Sequence, residues 1–230
     1  MFHRSNVAAA AIPADVLRIL SFETGQSPAL SRTASTRLPV ISIMTIDFEA
    51  SCLPRHGRSF PIEVGVSDLA GRTQAWLIRP HPVWQGWGWT AEAEGLHGLS
   101  RRQIEGEGLP AAIVLQNLAA AVRGHALEAD SDLDARWLRT LALALALALA
   151  AGAVEPFRVG QVSGLLDAWQ ATPERAADAM RAADRMTRER HRAAADARWL
   201  ALVLEGLRPR DGSVPRREMT QGSEPVGVAA

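Results

Sequence analysis

Lysine and tyrosine are absent from this chain of 230 residues, and cysteine occurs once, as Cys52. One cysteine excludes a disulfide framework within the chain and suits a reducing compartment, so a cytoplasmic location is expected. Cys52 also lacks the companions of a zinc site and is expected to be a small buried side chain. Net charge is missing too, because 25 arginines balance 25 acidic residues. That balance argues for no partner, yet it leaves room for a local basic groove where a nucleic acid would need one. No apolar stretch is long enough to span a bilayer. The run from Leu141 to Val154 falls short of the roughly 20 residues required and reads as a buried core helix. Arg4 is not followed by the apolar run and cleavage site of a secretory signal. Arginine without lysine, together with abundant alanine, reflects a GC-rich coding sequence and not a function.

Hydrophobic residues make up 47% of the chain, enough for one core of ordinary size. Residues 1–37 are rich in Ala, Ser, Thr, Arg and Pro and read as a poorly ordered extension; 208–230 read as a disordered tail. Between them, 38–207 form the expected domain. Val40–Ile46, Pro61–Val66 and Gln74–Ile78 are β-rich apolar runs, the last two joined by a turn at Leu69-Ala70-Gly71. Helical patterns follow over Pro110–Val122, Asp132–Ala151 with Gly152 as C-cap, Val162–Trp169, Pro173–Arg188 and Arg192–Leu207. Short strands are expected at Ala126–Ala129 and Phe157–Val162. The Leu-Ala repeat from 141 to 150 mimics a strand, but without β-branched residues helix is favoured. Strands first, then strands alternating with helices, indicate an α/β domain with a mixed sheet.

Three acidic motifs carry chemistry. In Ile46-Asp47-Phe48-Glu49, strand alternation puts Asp47 and Glu49 on one face and Phe48 on the other. Two carboxylates could thus converge on a cation, although strands running into solvent often end in acids. Asp130-Ser131-Asp132-Leu133-Asp134 stands at a strand end and helix start. Capping explains one or two of its aspartates, not obviously all three. In His191-Arg192-Ala193-Ala194-Ala195-Asp196, the outer pair would lie about 140° apart on a continuous helix. They converge only if His191 precedes the helix and Asp196 lies inside it.

In this order the motifs resemble those of the DEDDh 3′→5′ exonuclease family, which includes the proofreading subunit of bacterial DNA polymerase, ribonuclease T and oligoribonuclease. Ser59-Phe60-Pro61-Ile62-Glu63-Val64-Gly65 and Leu96-His97-Gly98-Leu99-Ser100 also fit, so the resemblance covers about 40–207. The middle motif departs from the common pattern, with Asp130 and Leu133 where an Asn and an aromatic residue are usual. Asp134 is chosen because Trp137-Leu138 follows it at the family's spacing; Asp130 and Asp132 remain rivals. The resemblance implies a ribonuclease H-like fold with a mixed five-stranded sheet flanked by helices. It implies Asp47, Glu49, Asp134 and Asp196 as ligands of two Mg²⁺ or Mn²⁺ ions, His191 as general base and His97 near the terminal nucleotide. The expected substrate is single-stranded DNA or RNA, with no membrane partner and room for a homodimer. The alternative is a non-catalytic module binding nucleic acid or a polymerase on the same fold, a reading the presence of all five residues weighs against.

Trp84, Trp87 and Trp89 would either stack on bases or form a lid packed on the sheet. Arginines 181, 185, 188, 190, 192 and 198 surround the third motif and could meet phosphate or form a solvated face. Ser51 and Cys52 have no base nearby in sequence, which argues against a covalent mechanism.

Overall fold

A computed structural model describes residues 42–148 and 157–210. The extension expected at 1–37, the C-cap at Gly152 and the tail from 211 onward lie outside the described residues. The chain runs β1 (Ser42–Ala50), β2 (Pro61–Asp68), β3 (Thr73–Leu77), α1 (Ala91–His97), α2 (Arg101–Glu107), α3 (Ala111–Ala121), β4 (His125–Ala129), α4 (Asp132–Ala148), β5 (Val159–Gln161), α5 (Val162–Ala168), α6 (Pro173–Met186) and α7 (Ala193–Leu207). The sheet order is β3-β2-β1-β4-β5. The first three strands form an antiparallel meander, and β1, β4 and β5 are parallel.

β1 and β2 are buried on both sides, which is why they read as continuous apolar runs and not as alternating ones. Met44, Ile46 and Phe48 join Ile62, Val64 and Val66 in a core with α3 and α4. Ile43 faces the opposite way, into a second cluster with α5, α6 and α7. Local chemistry sets the helix ends. Ser100 and Thr172 cap α2 and α6, each accepting from a backbone N–H three residues on. Ser131 Oγ accepts from Leu133 N at the start of α4. The Leu-Ala repeat is helical over its described part.

Some boundaries shift. The last strand shrinks to Val159–Gln161, because Val162 already begins α5. α7 begins at Ala193 because Arg192 is extended as its N-cap. Two short helices, α1 and α2, follow the Trp-rich loop and were not expected.

Candidate metal centre

The carboxyl ends of β1 and β4, parallel neighbours in the sheet, open at the same edge. In open α/β sheets this is where ligands bind. Asp47 and Glu49 project there from the last turn of β1's pleat, on the face opposite Phe48, which is anchored in the core. Asp130 directly follows β4, and Asp134 lies in the first turn of α4. Asp134 is 2% exposed, and its Oδ1 accepts from Phe48 N at 3.1 Å. That bond ties the start of α4 to the motif strand. Asp132 is exposed on the surface of the same turn.

Asp196 arrives from the other side, in the first turn of α7. Thr45 Oγ1 donates to Ala197 O at 2.6 Å and holds that turn against β1. Asp196 Oδ2 accepts from His191 N at 2.7 Å, and Arg190 Nε donates to Oδ1. Arg190 also lies 4.2 Å over the Trp199 ring. His191 therefore precedes the helix while Asp196 lies inside it. The turn between them needs His191 at φ +64°, in the left-handed region. The His191 side chain is exposed.

Carboxylate oxygens of Asp47, Glu49 and Asp196 lie within 4.8 Å of one another, and so do those of Asp47, Asp130 and Asp134. Asp47 belongs to both groups. Burial, and then this crowding of like charges, raises the carboxyls of Asp47, Glu49, Asp130 and Asp134. Burial first, then Asp134, Glu49, Asp196 and Asp130, pushes Asp47 well above the carboxylate range. Burial, then Asp196 and Glu63, pushes Glu49 up to about 8, opposed by Arg192. Burial and then Asp130 push Asp134 up to about 7, opposed by the Phe48 N–H. Asp130 is raised by burial and Asp196, with Arg190 opposing. The donor set is all carboxylate, which suits hard divalent cations.

Beside Glu49 lies a mostly apolar recess of about 100 Å³, lined by Phe48, Cys52, Leu53, His56, Leu96, His97 and Trp137 among others. His97 is buried, and its Nδ1 accepts from Leu99 N at 3.0 Å. In the neutral ring this leaves the hydrogen on Nε2, which has no partner among the described residues. Burial keeps the ring neutral by lowering its pKa.

The Trp-rich loop packs on the sheet. Trp84 is buried and stacks on Phe60 with centroids 5.4 Å apart, and Trp89 Nε1 donates to Glu94 at 2.7 Å. Cys52 is buried, as expected. Ser51 Oγ accepts from Phe60 N and serves structure. Of the arginines around the third motif, Arg181 pairs with Asp178, Arg190 with Asp196 and Arg192 with Glu63. Sequence reasoning treated Asp130 as a rival to Asp134, not as its companion. The signal was there in the run of three aspartates from Asp130 to Asp134, but only the turn between β4 and α4 brings the first and the last together beside Asp47.

No family model and no curated protein matches the chain. Solved structures do. Exonuclease I from Methylocaldum szegediense has a TM-score of 0.50 at 15% identity, covering 74% of this chain and 41% of that one. Another exonuclease I structure has a TM-score of 0.51 at 12% identity, covering 73% and 41%. E. coli exonuclease I in complex with a dT13 oligonucleotide has a TM-score of 0.50 at 12% identity, covering 74% and 42%. The chain spans about two-fifths of the length of these proteins. The likeness shows the fold, a mixed five-stranded α/β sheet flanked by helices, of the ribonuclease H-like type shared with these exonucleases. Among the described residues no helix is long and apolar enough to cross a membrane.

Proposed function

We propose that this chain is a metal-dependent 3′→5′ exonuclease that releases nucleoside 5′-monophosphates from single-stranded DNA or RNA. The observation that carries this reading is the pair of carboxylate groups sharing Asp47 at the carboxyl ends of β1 and β4. Asp47, Glu49 and Asp196 would hold one Mg²⁺ or Mn²⁺ ion. Asp47 with Asp134 and Asp130 would hold a second. Asp134 already accepts from Phe48 N through one oxygen, so its other oxygen and the exposed Asp130 would supply the ligand atoms on that side.

Bound ions of this kind lower the pKa of a water and neutralise charge on a phosphate. His191, exposed and bound through its N–H to Asp196, would accept the proton of the attacking water as its oxygen bonds to phosphorus and the bond to the 3′ oxygen breaks. The recess beside Glu49 would receive the terminal nucleoside, with His97 Nε2–H offered to one of its acceptors. The likeness to an exonuclease I crystallised with dT13 supports a single-stranded substrate.

The test uses 5′-labelled single-stranded DNA and RNA with Mg²⁺, Mn²⁺ or EDTA. The expected result is a ladder shortening from the 3′ end, with monophosphate product, only when metal is present. Tight binding of either strand without shortening, at saturating Mn²⁺, would favour the non-catalytic module instead.

A further inference from the structure

We infer that Glu63 is a positioning residue: with Arg192 and Gly65 it pins the first turn of α7 to β2 and so sets where Asp196 meets Asp47 and Glu49. This rests on reading the acidic cluster as a metal centre. Glu63 stands opposite Glu49 in the β1–β2 register, on the same face of the sheet, and is 3% exposed. A carboxylate so buried must find donors. Glu63 takes three, all from the start of α7. Arg192 Nη2 donates to Oε1 at 2.6 Å, Arg192 Nε to Oε2 at 3.0 Å, and Ala193 N to Oε2 at 3.1 Å. The fork geometry allows arginine, and not lysine, to make the first two together.

The third bond is a helix cap supplied from another element. The first N–H groups of a helix have no partner inside it. Thr90, Ser100 and Thr172 meet that need for their own helices through a side chain, but the N-cap of α7, Arg192, makes no such bond. Glu63 fills the place from β2. Two residues on, Gly65 lets the backbones touch. A Cβ there would lie 2.3 Å from Ala193 C and 2.4 Å from Ala194 N. Glu63-x-Gly65 therefore holds the turn both by charge and by close approach. Asp196 lies in that same turn, and its Oδ2 holds the His191 N–H. Both candidate catalytic residues of the third motif thus take their place from β2. The rest of α7 is secured independently by Trp199, Leu200, Val203, Leu204 and Leu207 in the second core. Loss of Glu63 should therefore loosen the first turn without releasing the helix.

The competing explanation is charge alone, and the two differ in sign. Arg192, clamped on Glu63 directly across from Glu49, is a cation beside the acidic cluster and opposes metal binding electrostatically. Removing it by charge alone would tighten the site; through the latch it would weaken it. The experiment measures Mn²⁺ affinity of the full chain by electron paramagnetic resonance for the parent, E63Q, R192Q and V203A, with melting temperatures. Amide exchange at His191 is followed by NMR in the metal-free protein. V203A creates a cavity in the second core and lowers stability at a distance from the latch. The expected result is Mn²⁺ binding weakened roughly 10-fold in both E63Q and R192Q, the lower end of the loss when a residue supporting a metal ligand is removed. V203A should bind as the parent does. Exchange at His191 should quicken in E63Q and R192Q only. Binding in R192Q equal to or tighter than the parent overturns the inference, as does V203A matching the loss in the other two. If E63Q fails to fold, R192Q, at a half-exposed position, decides alone. A parent that takes up no Mn²⁺ would reject the metal centre itself, and unchanged His191 exchange in R192Q would then separately reject the latch.

Discussion

His191 and Asp196 share a hydrogen bond yet are assigned different work. His191→Ala should keep Mn²⁺ and single-strand binding while turnover falls roughly 10²–10⁴-fold, the weight of a general base. Asp196→Ala should instead weaken Mn²⁺ binding, because it removes an anionic ligand. Cleavage rate and metal affinity measured on both variants separate the two roles, and parental turnover in His191→Ala would make the histidine structural. Arg190 adds a third case. Its guanidinium sits on Asp196 Oδ1, the atom a cation would need. A competing cation of this kind predicts that Arg190→Gln tightens Mn²⁺ binding at low ionic strength. Weaker binding in a titration of that variant would mean that Arg190 orients Asp196 rather than competes for it.

Elements place these residues by close contacts between backbones. Gly65 on β2 is the sharpest example, since any side chain there meets the backbone of α7. Gly65→Ala should destabilise the fold by about 1–3 kcal/mol or more, as overpacking does where no side chain can yield. Gly95, inside α1, has no neighbour within 4 Å of an added Cβ. Gly95→Ala should stabilise by up to about 1 kcal/mol through helix propensity. Urea unfolding of the two variants checks the contrast, and equal effects would place α7 further from β2 than described. Much at this scale was readable in the chain. The meander, the helical Leu-Ala repeat and the start of α4 follow from local patterns of period and capping. The short helices α1 and α2 were not, because seven residues show too little periodicity to stand out from a loop rich in Gly and Trp.

Across the whole molecule the acidic cluster should make stability depend on pH and metal together. Glu49 rises from its ordinary 4.5 to about 8 in the folded chain. Asp134 rises from 3.8 to about 7. A carboxyl whose pKa is raised on folding binds its proton more tightly in the native state. Its contribution to stability is complete below the ordinary value and is lost as pH climbs through about 4 to 8. Without metal, the melting temperature should therefore fall between about pH 5 and pH 8, and less steeply in Glu49→Gln. Mn²⁺ binds the ionised form, so the rise it produces should grow over the same range. Melting curves in EDTA and in Mn²⁺ test both statements, and a profile in EDTA with the same slope in parent and Glu49→Gln would show that the cluster carries its charge without cost.

The sequence by itself determined which residues of a strand share a face and the order of the main elements. Alternation along β1 put Asp47 and Glu49 together and sent Phe48 into the core. These are properties of a few consecutive residues, and backbone geometry alone enforces them. Tertiary structure decided which distant groups meet. Asp130 and Asp134 meet Asp47 because β4 lies beside β1; Glu63 faces the start of α7 because β2 pairs with β1 on the other side. Trp84 goes to Phe60 instead of solvent because the loop folds back over β2. Strand order and helix docking set those encounters, and both depend on burying the central strands on both faces, which no local pattern contains.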